Sequence, residues 1–324
     1  MSLADVLLVT VTSVESKAVL NVFEQTIGHK APQESIGDRA YFNLGTVNGA
    51  RVFMTMQPGM GSGGVGGSLP SVTKGIEALS PQAVIMVGIA FGVNEDKQKI
   101  GDVLVSKQLR LYDLQRVGTQ ENEKSSYIIL RGDKPPASSW LVNHFETAAL
   151  RWNDAKVRFG VVLTGDKLVD NLDYRNQLIS LEQEAVGGEM EGAGLYVACH
   201  DKKVDWILIK AICDWGDGMK GVDKAPRQEI AAKNAAEFVL HGLQFTAIDW
   251  EKRRGQQPSP TPNTQSSSSD LRRSMNDRRR ESLQEEIEVI QRQLESTLSD
   301  EQKLKLERRL KQKLAEYEEL EQLG

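Results

Sequence analysis

The sequence lacks most of what would mark a secreted, metal-binding or membrane-inserted protein. It contains two cysteines in 324 residues, Cys199 and Cys213, both inside apolar segments. Two such thiols exclude a disulfide framework and favour a reducing compartment. Four histidines, His29, His144, His200 and His241, show no ligand spacing, so no metal site is expected. The N-terminal apolar run is too short for a signal or membrane helix and follows no basic segment, so it reads as a first strand. A cytoplasmic chain without membrane partners is the expectation. The formal charge of −5 argues against a dedicated nucleic-acid binder. The 40% hydrophobic content supports a real core, and the length suggests one large domain with an appendage.

Read in order, strand-like and helix-like segments alternate. Asp5 to Thr12 is β-branched and apolar, and Ser13 to Ile27 follows a helical pattern with Glu15 in its first turn. Tyr41–Val47 and Arg51–Gln57 flank Asn48-Gly49, a strong hairpin signal. Further strands are expected at 83–88, 101–106 with a continuation at 109–112, 127–130 and 157–164. Helices are expected at 68–79, 138–152, 171–181, 190–200 and 229–250. Trp206 to Cys213 reads as a continuous apolar run, a buried strand closing the sheet. It ends abruptly in Asp214-Trp215-Gly216-Asp217. Ligands in open α/β sheets sit beyond the carboxyl ends of the strands, so a carboxylate at such an end is a candidate for chemistry. The alternation predicts an α/β layered fold.

Gly61, Gly63 and Gly66 satisfy the dinucleotide-binding spacing G-x-G-x-x-G. The next strand ends Met86-Val87-Gly88-Ile89 without the acidic residue that would hold a ribose, and the preceding strand belongs to a hairpin. A nicotinamide cofactor is therefore not expected, and no other cofactor is implied. Backbone N–H groups of this turn could still face a polar or anionic ligand. From Gly255 to Asp270 no residue is apolar, so 251–276 reads as a flexible linker. Leu283, Ile287, Ile290 and Leu294 then form one helical stripe; Leu306, Leu310, Leu314 and Tyr317 form a second. Ser299 to Gln302 fits a capping box between them. A helical hairpin or coiled coil over 277–324 is expected, and a unit this small needs a partner or self-association.

Within 1–250 several motifs occur in a fixed order. They are Val9 to Glu15, Pro58-Gly59-Met60-Gly61, Val87-Gly88-Ile89-Ala90, Ile100 to Ser106, Thr164-Gly165-Asp166, Glu189-Met190-Glu191-Gly192-Ala193 and Ala211-Ile212-Cys213-Asp214. Together they resemble the nucleoside phosphorylase and nucleosidase superfamily over about Val6 to Gly242. Gly187 to Gly194 and Cys213 to Gly218 look like the branch fused to signalling or defence modules. The resemblance implies a three-layer phosphorylase/hydrolase-like fold with a central mixed sheet. It also implies at least a homodimer, and an activity that releases adenine or another purine from a nucleoside or nucleotide such as ATP.

The resemblance assigns roles residue by residue. Asp214 would protonate N7 of the departing base. A free aspartate with a pKa near 3.9 is a poor acid at neutral pH, so burial behind the apolar strand is expected to help it. Glu15 would activate the attacking water from the other side of the bond, as paired carboxylates do in glycoside hydrolysis. Glu191 would hold the ribose hydroxyls and Met190 would pack beneath the ring. Ile89, Ala90, Leu168, Val169 and Gly61 would line the remainder, and Asp217 would help hold its loop. Lys167 and Arg175 are candidate contacts for 5′-phosphates, although exposed helix charges of this kind are common. Taken singly, several of these residues have plainer readings: Glu15 as a first-turn dipole partner, Asp214 as a turn or cap, Met190 as core filler.

Where phosphorylases of this superfamily carry an arginine and a serine for phosphate, this chain has Met86 and Ile89. An apolar pair cannot balance a phosphate dianion, so hydrolysis is expected over phosphorolysis. Ile89, Phe91 and Leu168 depart from the nucleosidase pattern, and Leu168 gives up an aromatic stacking position. They support one alternative, a catalytically silent nucleotide-sensing domain signalling through the C-terminal helices; a phosphate-dependent phosphorylase is a separate, third possibility.

Overall fold

Strand β1 (Val6–Thr10) is five consecutive buried residues, the pattern of a strand covered on both faces. The computed structural model describes residues 3–119, 126–221, 223–245, 248, 250 and 253, with scattered helical positions between 284 and 317. After β1 come α1 (Ser13–Ile27), β2 (Gln33–Ile36), β3 (Arg39–Val47), β4 (Ala50–Met56), α2 (Ser68–Leu79) and β5 (Ala83–Gly92). The next are β6 (Val103–Leu111), β7 (Gln115–Thr119), β8 (Ser126–Leu130), α3 (Ser139–Ala149), β9 (Val157–Thr164) and α4 (Leu172–Leu181). The series ends with β10 (Ala185–Glu189), α5 (Gly192–Lys202), β11 (Asp205–Asp214) and α6 (Lys224–Phe245). The chain divides into two units, Met1–Gln256 and Gln257–Gly324. The expected linker, save Arg253, and four of the eight stripe residues (Leu283, Ile290, Leu294 and Leu306) fall outside the described residues.

Nine strands form one mixed sheet in the order β10-β9-β6-β11-β5-β1-β4-β3-β2. Helices α1, α3 and α6 pack together over one face, and α2 and α5 over the other. This is an α/β fold built on a central mixed sheet, as the alternation of segments implied. Helix α1 begins and ends where expected because its boundaries are chemical. Thr12 and Glu15 form a capping box, and Gly28 closes the helix at φ 79°. The hairpin turn at Asn48-Gly49 has φ 46° and 85°, positive at both central positions as a type I′ turn requires.

Three strands were not expected: β2, β7 and β10. The last matters most. Strand β10 pairs in parallel with β9 and also antiparallel with the end of β5, through Gly187 with Gly92 and Gly188 with Phe91. The approach is close enough that a Cβ on Gly188 would lie 2.3 Å from Cζ of Phe91, and one on Gly187 2.6 Å from the Phe91 carbonyl. A glycine pair that reads as a break in the apolar pattern is what lets the strand dock. The expectation that Trp206–Cys213 closes the sheet is corrected: β11 lies in its interior, parallel to β5 and antiparallel to β6. The last helix also starts earlier than its apolar pattern, at Lys224 rather than Glu229.

The start of β1 is fixed by Asp5, which is fully buried. Its carboxylate accepts from the Arg51 backbone N–H and guanidinium and from Gln82 Nε2. Removing the carboxylate leaves Arg51, about one-third exposed, to solvent, but takes the acceptor from the Arg51 N–H and the buried Gln82 amide, at a cost of roughly 1–3 kcal/mol. Asp5→Ala is therefore expected to lower unfolding free energy by about that much in urea titrations, and an unchanged value would contradict this account.

Candidate active site

A cavity of about 380 Å³ opens at the carboxyl ends of the central strands, where open α/β sheets bind ligands. Residues that line it include Glu15, Ile89, Ala90, Phe91, Lys167, Leu168, Val169, Met190, Glu191 and Asp214. The candidate residues therefore converge from α1, β5, the segment after β9, the turn before α5, and β11.

Glu15 serves both as a helix cap and as a wall of the cavity. Its Oε2 accepts the N–H groups of Val11 at 2.9 Å and Thr12 at 2.6 Å, and its Oε1 accepts the Ile89 N–H at 2.8 Å. The carboxylate can occupy this place because residue 88 is glycine: a Cβ there would lie 2.0 Å from Oε1. Glu191 is fixed by Gly61 N–H to Oε1 at 3.2 Å and by Lys210 Nζ to Oε2 at 3.3 Å. Met190 is anchored through its carbonyl, which accepts from Ser62 Oγ at 3.0 Å.

Asp214 ends β11 after a register shift between Ile212 and Asp214, and such a bulge re-aims the side chain. It is 4% exposed, so the preceding strand does bury it. Its carboxylate is not bare, however. Oδ1 accepts the Gly216 N–H at 3.0 Å, while Oδ2 accepts the Cys213 thiol at 3.1 Å and lies 3.2 Å from Lys220 Nζ. Burial pushes the Cys213 thiol well above its ordinary pKa, with the adjacent Asp214 carboxylate adding to it, so the sulfur stays a neutral donor.

The group that joins the site together was overlooked in the sequence. Lys210, fully buried in β11, interrupts the run read as continuously apolar. Its ammonium lies 3.3 Å from Glu191, 3.9 Å from Glu15 and 3.9 Å from Glu189. Burial opposes its charge, yet the three carboxylates outweigh burial and hold its pKa above the ordinary lysine value. Glu189, also overlooked, accepts the N–H groups of Glu191 at 2.9 Å and Gly192 at 3.0 Å. Burial pushes Glu189 up to about 7, against the pull of Lys210 and with the added push of Glu191. A charged residue inside an otherwise apolar strand was the available signal, because buried charges are retained only when paired.

Two expectations need correction. Gly61 is not among the cavity-lining residues; its N–H is spent on Glu191, so it orients a side chain instead of facing a ligand. Arg175 is buried, and its Nη1 donates to the Trp215 carbonyl at 2.8 Å, which braces the turn after β11. It is not on the cavity wall. Lys167 does line the cavity, but its ammonium pairs with Asp113. The cations missed at the rim are Lys220 and Lys224. Asp217 accepts the Met219 N–H at 3.0 Å, within its own loop. No group of metal-ligating side chains occurs among the described residues. Among those residues, no helix is long and apolar enough to cross a membrane.

With the fold and cavity in place, residues 6–244 match the phosphorylase superfamily. The chain belongs to that superfamily. Among its relatives is the death domain-containing ATP nucleosidase of Amphimedon queenslandica, 31% identical over 202 residues, which are 55% of this chain and 37% of that protein. The chain thus matches little more than a third of that relative's length. The 5′-methylthioadenosine/S-adenosylhomocysteine nucleosidase of Actinobacillus succinogenes is 26% identical over 64% of this chain and 86% of its own. Among solved structures, the corresponding nucleosidase of Neisseria meningitidis in complex with methylthio-immucillin-A aligns with a TM-score of 0.61 and 20% identity. The alignment covers 74% of this chain and 99% of that one. Futalosine hydrolase of Helicobacter pylori aligns with a TM-score of 0.61 and 21% identity, over 75% of this chain and 99% of its own. At these identities the structures share a fold with this chain.

Two consequences of the buried cluster can be measured. Lys210→Met leaves three carboxylates buried without their cation and should cost roughly 3–5 kcal/mol of unfolding free energy at pH 8. The loss should shrink at pH 5, where Glu189, pushed up to about 7 by burial, carries a proton and one fewer buried charge is stranded. Glu189 has the opposite sign from an ordinary paired carboxylate. Its folded pKa lies above its unfolded one, so the folded state binds the extra proton and stability falls as pH rises from about 4.5 to about 7. Glu189→Gln should remove that decline in urea titrations across this range. An unchanged slope would show that Glu189 does not titrate there.

Proposed function

We propose that this chain is a purine nucleosidase that hydrolyses the N-glycosidic bond of an adenine nucleoside or nucleotide, with ATP its substrate. The observation that carries the reading is the convergence of Glu15, Met190, Glu191 and Asp214, from distant parts of the chain, on one cavity. Membership of the phosphorylase superfamily and the two kinds of nucleosidase relative support it.

In this mechanism the C1′–N9 bond breaks with its electron pair moving to the base, and Asp214, after taking up a proton from solvent, delivers it to N7. Charge that builds on the sugar is stabilised by the Glu191 carboxylate, which also holds the ribose hydroxyls. Met190 packs under the ring. Water adds to C1′ and gives its proton to Glu15, whose carboxylate is held in place by three N–H groups before any substrate arrives. The nucleophile side of the cavity is walled by carboxylates. Its buried ammonium, Lys210, already serves three of them. A phosphate dianion beside Glu15 would meet repulsion from these carboxylates, whereas neutral water would not. Hydrolysis is therefore favoured over phosphorolysis.

The wider role follows from the chain's organisation. Residues 1–250 are the catalytic domain, 251–276 a linker, and 277–324 a helical interaction module through which the enzyme self-associates or meets a protein partner. A nucleotide-depleting effector in a cytoplasmic defence or signalling system fits that layout. The sensing alternative draws on Leu168, which lines the cavity yet is 56% exposed and offers the base no ring to stack on.

The test is chromatography of free base from ATP, dATP, adenosine and methylthioadenosine, with and without phosphate, using the full chain. Asp214→Asn should cut release by roughly 10²- to 10⁴-fold, the usual worth of a general acid, while the thermal midpoint stays near that of the parent. Release of no base from any of the four would refute the enzyme reading. Ribose 1-phosphate made only with phosphate present would identify a phosphorylase.

A further inference from the structure

The cavity carries charges of both signs. Carboxylates Glu15, Glu189, Glu191 and Asp214 line it together with the cations Lys167, Lys220 and Lys224. Lys167 pairs with Asp113 at an exposed site. Lys224 is the first residue of α6 and makes no ion pair among the described residues. The first turn of α6 holds no acidic residue, and Asp223 precedes it at the cap, its carbonyl accepting the Arg227 N–H at 3.1 Å. Lys220 lies 3.2 Å from Asp214 Oδ2, the same oxygen that accepts the Cys213 thiol.

The chemistry of a nucleotide explains why a cation should stand on that particular carboxylate. In the anti conformation the C8–N7 edge of a purine turns toward the 5′-carbon. A residue that meets N7 is therefore a neighbour of the group that meets the α-phosphate. An ammonium on Asp214 needs only side-chain rotation to reach that phosphate. With Gly216 on Oδ1 and two donors on Oδ2, Asp214 has little room for N7 until Lys220 moves.

We propose that Lys220 and Lys224 bind the 5′-phosphates of the substrate, and that Lys220 exchanges Asp214 for phosphate as the nucleotide enters. The proposal rests on the reading of Asp214 as the residue facing N7. Under it, Lys220 and Lys224 are specificity-determining residues: the phosphates both hold the substrate and clear the carboxylate that works on its base. An unphosphorylated nucleoside must enter with the Lys220–Asp214 pair still in place.

Two measurements on the full chain test this. The first is calorimetric titration with inorganic tripolyphosphate, which has no glycosidic bond to cleave. It should bind the parent with an affinity that falls as salt rises. Binding should weaken about tenfold or more in Lys220→Gln and in Lys224→Gln, the worth of one charge-assisted contact. Lys233→Gln, on the same helix but outside the cavity, is the control and should bind like the parent. The second is kcat/KM for base release from ATP and from adenosine. The ratio of the two should fall at least about tenfold in Lys220→Gln. Equal tripolyphosphate binding by all the proteins, or parallel losses on ATP and adenosine, would overturn the proposal. Tripolyphosphate binding that depends on Lys220 and Lys224 in a chain releasing no base would support the phosphate site and refute the nucleosidase reading instead.

Discussion

One ammonium group holds the inner wall of the cavity together. Lys210 is surrounded by Glu15, Glu189 and Glu191, each from a different element, and none of the four is more than a few per cent exposed. Three carboxylates this close would repel one another and shed their charge by taking up protons. With the lysine among them, Glu15 and Glu191 are held within reach of the same cation. Lys210 thus ties α1 to β10 and to the turn before α5, three segments that share no other charge. Burying such a cluster is expensive, and its location at the cavity indicates that its value lies in positioning.

Around that centre, each side chain is oriented by backbone donors. Glu15 takes its N–H groups from the start of α1 and from the β5 strand end; Glu191 takes its own from the glycine turn after β4. Asp214 is treated differently. Its donors include a thiol and a lysine ammonium, groups that can rotate away. The inner wall is preorganised by a rigid frame, while the base side is held by side chains that can yield to a ligand. That contrast follows the demands of the proposed reaction, in which the water must already be placed but the base has to be admitted first.

Much of the fold was legible because its boundaries are set by local chemistry. The Thr12–Glu15 capping box and Gly28 delimit α1, and Asn48-Gly49 sets the β3–β4 turn. Strands buried on both faces, such as β1, announce themselves as unbroken apolar runs. Strand β10 does not, since docking against β5 selects glycine at 187 and 188 and thereby removes the hydrophobic signal. Among the site residues, Glu15, Met190, Glu191 and Asp214 were found through ordered motifs. Lys210 was passed over because a run of strand residues was read by its average character. Its purpose depends on three partners distant in sequence, which no local pattern can display. Arg175 failed for the reverse reason: its charge suggested a ligand, but the nearest acceptor was the backbone of Trp215.

The double pairing of β10 has a consequence for association between molecules. By bonding to β9 on one side and β5 on the other, it joins β10, β9, β6, β11 and β5 into a closed ring. A ring has no free margin, so five of the nine strands cannot be extended by a strand from another chain. The remaining margin of that sheet is β2, only four residues long and alternately exposed, with the sequence Gln-Glu-Ser-Ile. A short, acidic, polar border is a poor template for edge-to-edge growth. The closure that brings Glu189 to the cavity also shields the nine-stranded sheet from edge-to-edge growth.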